Sequence, residues 1–214
     1  MTNSETAMNH TQQLQNGLAE MGLSLTEAQQ NKLIQYVELL KKWNKTYNLT
    51  ALRDESLMIS HHLLDSLTLL PYIEGAQTML DVGSGGGQPG IPTAICRPDL
   101  KITLLDANTK KTSFLQQAVI ELGLGNVRVI SGRVEAVQDF QADVITSRAF
   151  AELADFVNWT AQLLKDGGYW AAMKGVFPQE EIDRLPDFAT VDKVEEIHVP
   201  QLNAERHMVI MRKK

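Results

Sequence analysis

The fold of this chain is decided by residues 78–90, which read Thr78-Met79-Leu80-Asp81-Val82-Gly83-Ser84-Gly85-Gly86-Gly87-Gln88-Pro89-Gly90. An apolar strand runs into a cluster of glycines and then into a short helix, predicted over 90–96. Glycine permits positive φ and lets a ligand approach bare backbone, and a helix N-terminus offers unpaired amides. In open α/β folds, ligands bind at the carboxyl ends of parallel strands. We therefore predict a ligand site at this loop rather than a plain strand–helix turn.

Two acidic residues help to indicate whether the glycine loop binds a dinucleotide or another nucleoside ligand. Gly85 to Gly90 formally match the dinucleotide pattern G-x-G-x-x-G, which is weak evidence alone. Asp81 stands two positions before Gly83 and completes an acid-x-Gly-x-Gly-x-Gly pattern, which is typical of S-adenosylmethionine (SAM) sites. Asp106 follows the next predicted strand, where a carboxylate accepts hydrogen bonds from ribose hydroxyls in either kind of site. It could instead cap the following helix. SAM is the favoured ligand, and an NAD-type oxidoreductase remains the alternative.

Strands and helices alternate through most of the chain. Strands are predicted over 78–82, 101–105, 127–130, 143–145, 169–173, 189–199 and 207–212. One helix is predicted to run from a capping box at Thr26 to Tyr47. The other helices are predicted over 12–21, 57–72, 90–96, 110–122 and 153–164. The alternation predicts a mostly parallel α/β sheet of seven strands, covered on both faces, with the last two strands antiparallel at one edge. We divide the chain into an N-terminal helical extension, 1–75, and a ligand-binding domain, 76–214.

Composition excludes several classes of protein. The 214 residues include 43 % hydrophobic and 21 % charged residues, as in an ordinary globular protein. Apolar runs are far shorter than a membrane span, and the polar start does not resemble a signal peptide. The single cysteine, Cys96, excludes an intrachain disulfide. We expect a cytoplasmic monomer that uses no metal and binds no membrane.

The net charge of −6 excludes a uniformly basic protein that binds nucleic acid nonspecifically. It is compatible with a local basic patch that binds nucleic acid. Lys41, Lys42 and Lys45 share the polar face of the predicted helix that ends at Tyr47. We predict that these lysines contact phosphates. The alternative is a solvated helix face.

The predicted fourth strand ends in Ser147-Arg148-Ala149-Phe150, the position that faces the transferred methyl group in SAM-dependent folds. The chain has no Pro-Pro pair, and Cys96 lies away from this edge, so amino-group methylation and thiolate-dependent carbon-5 methylation are disfavoured. An acceptor with its own lone pair, such as guanine N7, needs only positioning and charge stabilisation. Arg148 and Lys174 could hold the SAM carboxylate or an RNA phosphate, or be surface cations, and the pair His61-His62 suits packing or capping.

Several motifs together resemble the RsmG (GidB) family of bacterial ribosomal small-subunit RNA methyltransferases. The resemblance rests on Trp43 to Thr50, His62 to Ser66, Asp81 to Pro92, Leu105-Asp106, Ser147 to Phe150 and Met173-Lys174-Gly175. It extends from about residue 25 to Arg212 and implies a class I SAM-dependent methyltransferase fold. The implied reaction is methyl transfer from SAM to N7 of a guanosine in 16S rRNA. A non-catalytic SAM- or RNA-binding regulatory module is a further alternative.

The resemblance also implies SAM contacts at Gly83, Gln88, Val134, Glu135 and Arg148. With the loop and strand-end arguments, the predicted cofactor residues are Gly83, Gly85, Gly87, Gln88, Asp106, Val134, Glu135 and Arg148. Arg148 is also the predicted catalytic residue, through positioning, and no general base is expected. The predicted RNA-binding residues are Lys41, Lys42, Lys45, Lys174 and Arg206. The sequence does not tell whether naked rRNA, an assembly intermediate or the complete small ribosomal subunit is the substrate.

Overall fold

The computed structural model describes residues 3–214, with side chains from Asn9 onward. The α-helices are α1 (Asn3–Met21), α2 (Glu27–Tyr47), α3 (Asp65–Leu67), α4 (Gly90–Cys96), α5 (Thr109–Glu121), α6 (Leu153–Thr160) and α7 (Gln179–Asp183). The strands are β1 (Thr78–Val82), β2 (Lys101–Asp106), β3 (Val127–Ser131), β4 (Ala142–Arg148), β5 (Leu164–Lys174), β6 (Ala189–Glu196) and β7 (His207–Lys213).

The seven strands form one sheet in the order β3-β2-β1-β4-β5-β7-β6. Strands β1 to β5 run parallel to one another, and β7 runs antiparallel between β5 and β6. The parallel sheet and the antiparallel C-terminal hairpin predicted from the sequence are therefore confirmed. The order changes direction at β1, since β2 follows on one side and β4 lies on the other. This switch point is where open α/β sheets bind ligands.

The N-terminal helices pack on the sheet layer and share its hydrophobic core. Helix α2 begins at the predicted capping box, in which Thr26 accepts from the Gln29 amide and the Gln29 side chain accepts from Thr26. Its buried stripe, including Leu33 and Leu40, belongs to the same apolar cluster as Met79 and Ile91 of the sheet layer. The division of the chain between residues 75 and 76 stays a prediction. The two segments share one hydrophobic core.

The continuous helix predicted over 57–72 is wrong. The structure has a 3₁₀ turn (Glu55–Leu57), a π-helix (Ile59–Leu64), the short α3 and a second 3₁₀ turn (Leu70–Tyr72). The hydroxyl groups of Ser66 and Thr68 donate to the carbonyls of His62 and Asp65, which competes with regular helix hydrogen bonding. Pro71 supplies no amide hydrogen to a continuing helix.

The predicted helix over 153–164 is also too long. Helix α6 stops at Thr160, a 3₁₀ turn covers Ala161–Leu163, and β5 begins at Leu164, which is buried and pairs with Ala142. Gly167 has a φ of +77° and lies inside β5. The predicted strand over 189–199 ends at Glu196. The short helix α7 was not predicted from the sequence.

Within residues 3–214, no helix combines the length and hydropathy needed to cross a bilayer.

Candidate functional site

A cavity of about 420 Å³ lies at the carboxyl ends of β1, β2 and β4, and we call it the loop cavity. Its walls come from the glycine loop, the end of β2, the turn after β3 and the segment after β4. The lining residues are Val82, Gly83, Leu105, Asp106, Ala107, Lys111, Gly132, Arg133, Val134, Glu135, Ala149, Phe150 and Trp159. Its position matches the ligand site predicted from the glycine loop, and its volume is in the usual range for small-molecule sites.

Asp106 ties the glycine loop to the end of β2. One carboxylate oxygen accepts the Gly85 amide hydrogen at 2.8 Å, and the other accepts that of Asn108 at 2.8 Å. Asn108, not Asp106, is the N-cap of α5, since its side chain accepts from the amides of Lys110 and Lys111. The capping role considered for Asp106 is therefore taken by Asn108. Asp106 remains on the cavity wall, with further lone pairs for a ligand hydroxyl.

Asp81 is fully buried beneath the loop. One carboxylate oxygen accepts the Gly90 amide hydrogen at 3.0 Å, so this first amide of α4 is already used. Among the residues with described side chains, the other oxygen, Oδ1, has no hydrogen-bond partner. Burial is the main cause that raises the pKa of Asp81 to about 8. The carboxyl group is therefore largely protonated near neutral pH.

Replacing Asp81 by asparagine is expected to change how stability depends on pH. The folded pKa lies above the unfolded value, so wild-type protein loses stability as the pH rises from about 4 towards 8. Asparagine keeps an acceptor for Gly90 and does not ionise. The free energy of unfolding of Asp81→Asn relative to wild type should rise by about 1 kcal/mol per pH unit in this window. Urea unfolding at pH 5.5, 6.5 and 7.5 measures it, and parallel pH profiles for the two proteins would contradict the expectation.

A chain of hydrogen bonds joins the glycine loop to the N-terminal helices. The Tyr36 hydroxyl donates to the Gly86 carbonyl at 2.6 Å and accepts from the Gln88 amide. The Gln88 side-chain oxygen accepts from Arg148 at 3.4 Å. Arg148 also donates to the buried carboxylate of Asp65 at 2.9 Å. The loop is therefore held from outside the sheet by α2 and, through Arg148, by α3.

The segment after β4 separates two cavities. Arg148 faces a second cavity, Phe150 lines the loop cavity, and Ala149 between them lines both. Ala149 has a φ of +54°, a left-handed conformation that is uncommon for residues other than glycine. This backbone turn separates the side chains on either side of Ala149, so that Arg148 and Phe150 line different cavities. Ala149 therefore marks the place where occupants of the two cavities would meet.

The second cavity, which we call the basic cavity, has a volume of about 360 Å³. Its lining residues are Thr50, Leu52, His61, His62, Asp65, Arg148, Ala149, Met173, Lys174, Gly175 and Arg206. Asp65 is 1 % exposed and accepts from Arg148 at 2.9 Å and from Arg206 at 3.0 Å. Lys174 pairs with Glu181 at 2.7 Å. Two carboxylates thus balance most of the charge of the three cations.

The structure divides the residues predicted to bind the cofactor into two groups. Gly83, Asp106, Val134 and Glu135 line the loop cavity. The others, Gly85, Gly87, Gln88 and Arg148, do not. A Cβ at Gly87 would lie 2.6 Å from Ile91, which shows a packing role for this glycine. Gln88 is buried against Tyr36, and Arg148 faces the basic cavity. Cofactor contact by these four residues stays a prediction.

The residues predicted to bind RNA also separate. Lys174 and Arg206 line the basic cavity. Lys41 pairs with Glu55 at 2.6 Å, while Lys42 and Lys45 are exposed on α2. Phosphate contact by these lysines stays a prediction, and the pairing of Lys41 makes it the least available of the three.

Several cavity residues carried no sequence signal. Lys111 and Trp159 reach the loop cavity from α5 and α6, and their positions in the sequence match no motif used above. Asp65 belongs to a motif of the resemblance, but its pairing with Arg148 spans 83 positions. Cys96 lines neither cavity. Burial raises the pKa of its thiol to about 12, which suits a packing role and not a nucleophilic one.

This chain resembles known proteins in both sequence and fold. The family GidB, rRNA small subunit methyltransferase G, matches residues 29–209. The ribosomal RNA small subunit methyltransferase G of Neisseria meningitidis serogroup C (strain 053442) is 75 % identical over 207 residues, covering 97 % of this chain and all of that protein. Two solved structures share the fold at low sequence identity. TrmN from Thermus thermophilus has a TM-score of 0.56 and 16 % identity, covering 81 % of this chain and 53 % of that one. An O-methyltransferase from Bacillus cereus in complex with SAH has a TM-score of 0.56 and 15 % identity, covering 84 % and 91 %.

Proposed function

This chain belongs to the rRNA small subunit methyltransferase G family, and we propose that it transfers the methyl group of SAM to N7 of a guanosine in 16S rRNA. The observation that carries this proposal is the pair of cavities that share Ala149. The loop cavity suits the methyl donor and the basic cavity suits the acceptor base. An NAD-type oxidoreductase and a non-catalytic module, which the glycine pattern left open, have no support in this family.

The residues of the loop cavity fit SAM. Asp106 and Glu135 supply carboxylate acceptors for ribose hydroxyls and for an adenine amino group. Val134, which is 5 % exposed, supplies an apolar wall. Gly83 brings bare backbone to the cavity, where a Cβ would lie 2.5 Å from the Phe150 ring. When bound, SAM supplies an electrophilic methyl group on a sulfonium centre.

The chemistry of the acceptor follows from what the site residues can do. N7 of guanine carries a lone pair and no proton, so no general base is needed before it is methylated. Arg148 is fixed by Asp65, Gln88 and the His61 carbonyl, so it presents a positioned guanidinium to the basic cavity. Arginine donors suit the O6 acceptor of guanine. The protein therefore acts by orienting the base and stabilising charge.

Transfer of tritium from methyl-labelled SAM tests the proposed function. The substrate is 16S rRNA, free or within small subunits, from a strain that lacks the gene, and the modified base is mapped afterwards. We expect one labelled 7-methylguanosine. Label at another atom or another base would overturn the assignment of N7, and comparison of the two substrate forms identifies the preferred one.

Metal, oligomeric state and cellular location complete the proposal. Among residues 9–214, no three His, Cys, Asp or Glu side chains lie close enough together to hold a metal ion, and a reaction without metal stays a prediction. We propose a monomer that works in the cytoplasm on the small ribosomal subunit or its rRNA. The ribosomal substrate named for the relatives supports that location.

Replacing Asp106 by alanine is expected to weaken SAM binding by about tenfold or more, since hydrogen bonds to a carboxylate contribute about 1.5–3 kcal/mol. The Gly85 amide also loses its acceptor, so the glycine loop loosens. Calorimetric titration with SAM measures the effect. Asn108→Ala is the matched control, because it removes the helix cap at a stability cost of about 1 kcal/mol and should leave SAM affinity near the wild-type value. Equal SAM affinities for wild type and Asp106→Ala would reject the ribose-binding role.

Lys42 and Lys45 are the lysines of α2 that we propose to bind phosphates. Both are exposed, and the residues with described side chains offer neither of them an ion pair. Lys42 also lines a groove with Trp43, which is partly buried, and with Tyr47, which is 44 % exposed. The negative net charge of the protein keeps such a footprint local.

Replacing Lys42 and Lys45 together by glutamine is expected to weaken binding to rRNA and to flatten its salt dependence. The slope of log K against log salt should fall by about 0.7–0.9 for each phosphate that the variant no longer neutralises. Filter binding at several salt concentrations measures both effects. Lys41→Gln serves as the control, because the charge of Lys41 is already paired with Glu55. If the double variant binds with the wild-type affinity and slope, the RNA surface lies elsewhere, around Lys174 and Arg206.

A further inference from the structure

His62 lies in the wall of the basic cavity with both ring nitrogens unused. The residue is 2 % exposed, and neither Nδ1 nor Nε2 has a hydrogen-bond partner within the part of the chain whose side chains are described. Buried polar groups are paired in most proteins, and an orphaned one costs about 1–3 kcal/mol. Such a group, in the wall of a cavity, is suited to a ligand that brings the missing partners once the side chains covering both nitrogens shift.

The ring of His62 is neutral in this setting. Burial, with smaller contributions from the positive charges of Arg148 and His61, lowers the pKa of His62 to about 3. A neutral imidazole has one N–H donor and one bare nitrogen acceptor. His62 therefore brings an uncommitted acceptor to the cavity.

The other polar groups of the cavity are mostly donors or are already engaged. Arg148, Lys174 and Arg206 carry only donors. Each oxygen of the Asp65 carboxylate accepts from a guanidinium, and the Gly175 carbonyl contacts the His207 ring at 2.7 Å. A ligand with its own N–H donors thus finds an acceptor at His62, beside the partly exposed ring of His61, whose Nδ1 contacts the Leu57 carbonyl at 3.1 Å.

The charge of the cavity favours a base over a phosphate. Arg148 and Arg206 share the one carboxylate of Asp65, and Lys174 is paired with Glu181, so one unit of positive charge is left from the three cations. Guanine is uncharged and presents the acceptors O6 and N7 beside the donors N1–H and N2–H₂. This pattern matches arginine donors on one side and an imidazole acceptor on the other.

We propose that His62 is the specificity-determining residue that reads the target guanine, by accepting a hydrogen bond from the N1–H or the 2-amino group of its Watson–Crick edge. The inference rests on the proposed function, and it adds how the enzyme tells guanine from other purines. With that edge held by His62, N7 stays free on the other side of the base for the methyl group. Adenine has no donor at either position.

The test is a cycle of enzyme and substrate changes. Small subunits are reconstituted with 16S rRNA that carries guanosine, inosine or 2-aminopurine riboside at the mapped target position. Inosine lacks the 2-amino group, and 2-aminopurine lacks O6 and N1–H, while both retain N7. Wild type should lose at least about tenfold in kcat/KM with inosine if His62 contacts the 2-amino group. A loss with 2-aminopurine combines the missing N1–H with the missing O6 that arginine donors suit, and only the part that depends on His62 reports the N1–H contact.

The variant His62→Phe keeps an aromatic ring and removes both nitrogens. It should lower kcat/KM for guanosine by at least about tenfold and leave SAM affinity unchanged. His62→Phe should also remove the part of the analogue's penalty that is due to the lost contact with His62, so the enzyme change and the substrate change are not additive. His62→Gln retains an acceptor and should restore part of the discrimination. His10→Phe changes another buried histidine, which lines neither cavity, and should leave the guanosine preference as in wild type.

The outcomes distinguish failure of the proposed function from failure of the role proposed for His62. Absence of methyl transfer to guanosine by wild type would reject the proposed function. Transfer to guanosine with no penalty for either analogue would reject the role of His62 without any variant, and so would a penalty that His62→Phe leaves unchanged. If the preference for guanosine over the analogues also falls in His10→Phe, loss of any buried histidine acts through general destabilisation, and the specific role of His62 is rejected.

Discussion

Replacing Gly83 by alanine is expected to weaken SAM binding by about 100-fold, equal to about 2.7 kcal/mol. The added Cβ would lie 2.5 Å from the Phe150 ring, so the ring must move. Phe150 lines the loop cavity and packs edge-on against Trp159 and Phe156. Displacement of this ring changes the cavity wall on the side that faces Ala149. Calorimetric titration of SAM into the folded variant measures the loss.

Gly85 provides the matched control for this prediction. Its φ of +56° is close to the +69° of Gly83, so alanine strains the backbone similarly at both positions, by about 1–2 kcal/mol. A Cβ at Gly85, however, meets no atom closer than 3.7 Å. Gly85→Ala should therefore lose stability, and its SAM affinity should fall by less than that of Gly83→Ala. Equal losses of affinity in the two variants would mean that backbone strain, and not the contact with Phe150, decides binding.

Replacing Asp65 by alanine is expected to reduce methyl transfer by at least about 100-fold and to destabilise the fold by about 2–3 kcal/mol. Asp65 is 1 % exposed and holds both Arg148 and Arg206. Removing it leaves two guanidinium groups without their counter-ion. The loss of folding free energy is smaller than for a fully buried ion pair, because the side chains of Arg148 and Arg206 are each 25 % exposed. Arg148 would also lose the orientation that the acceptor base requires. Thermal unfolding and initial rates of methyl transfer measure the two effects.

Asp99 offers a comparison with an exposed ion pair. It accepts two hydrogen bonds from Arg97, but its side chain is 65 % exposed. Asp99→Ala should cost less than about 1 kcal/mol and leave activity unchanged. Asp65→Asn keeps the shape of the side chain without its charge and should lie between alanine and wild type. An Asp65→Ala protein as active as wild type would show that Arg148 needs no anchor.

The fold could be predicted to a large extent because its signals are local. The capping box at Thr26, the run from Asp81 to Gly90 and the alternation of short strands with helices each depend on neighbours a few positions apart. The same reasoning failed over 57–72, where apolar spacing predicts one helix. There, hydroxyl groups bond to backbone carbonyls and the segment is shaped by contacts from distant parts of the chain.

The site could be predicted in part, for the same physical reason. Asp106 stands at a strand end, and every βα fold brings such residues to one edge. The partners of Arg148 are different, since Asp65 lies 83 positions away and Gln88 lies 60 positions away. Spacing along one sequence does not reveal those pairings. His62 was expected to pack or to cap a helix end, and only the structure shows a buried ring without partners among the residues whose side chains are described.

The shared core limits how this chain can be divided or recombined. A fragment that begins at residue 76 would lose Tyr36, whose hydroxyl holds the Gly86 carbonyl. It would also uncover Met79 and Ile91, which lie in one apolar cluster with Leu33 and Leu40 of α2. Such a fragment would expose an aggregation-prone face and release the glycine loop. The catalytic half is therefore not a portable module: grafts, gene fusions and minimal versions of this enzyme need the N-terminal helices to be carried along.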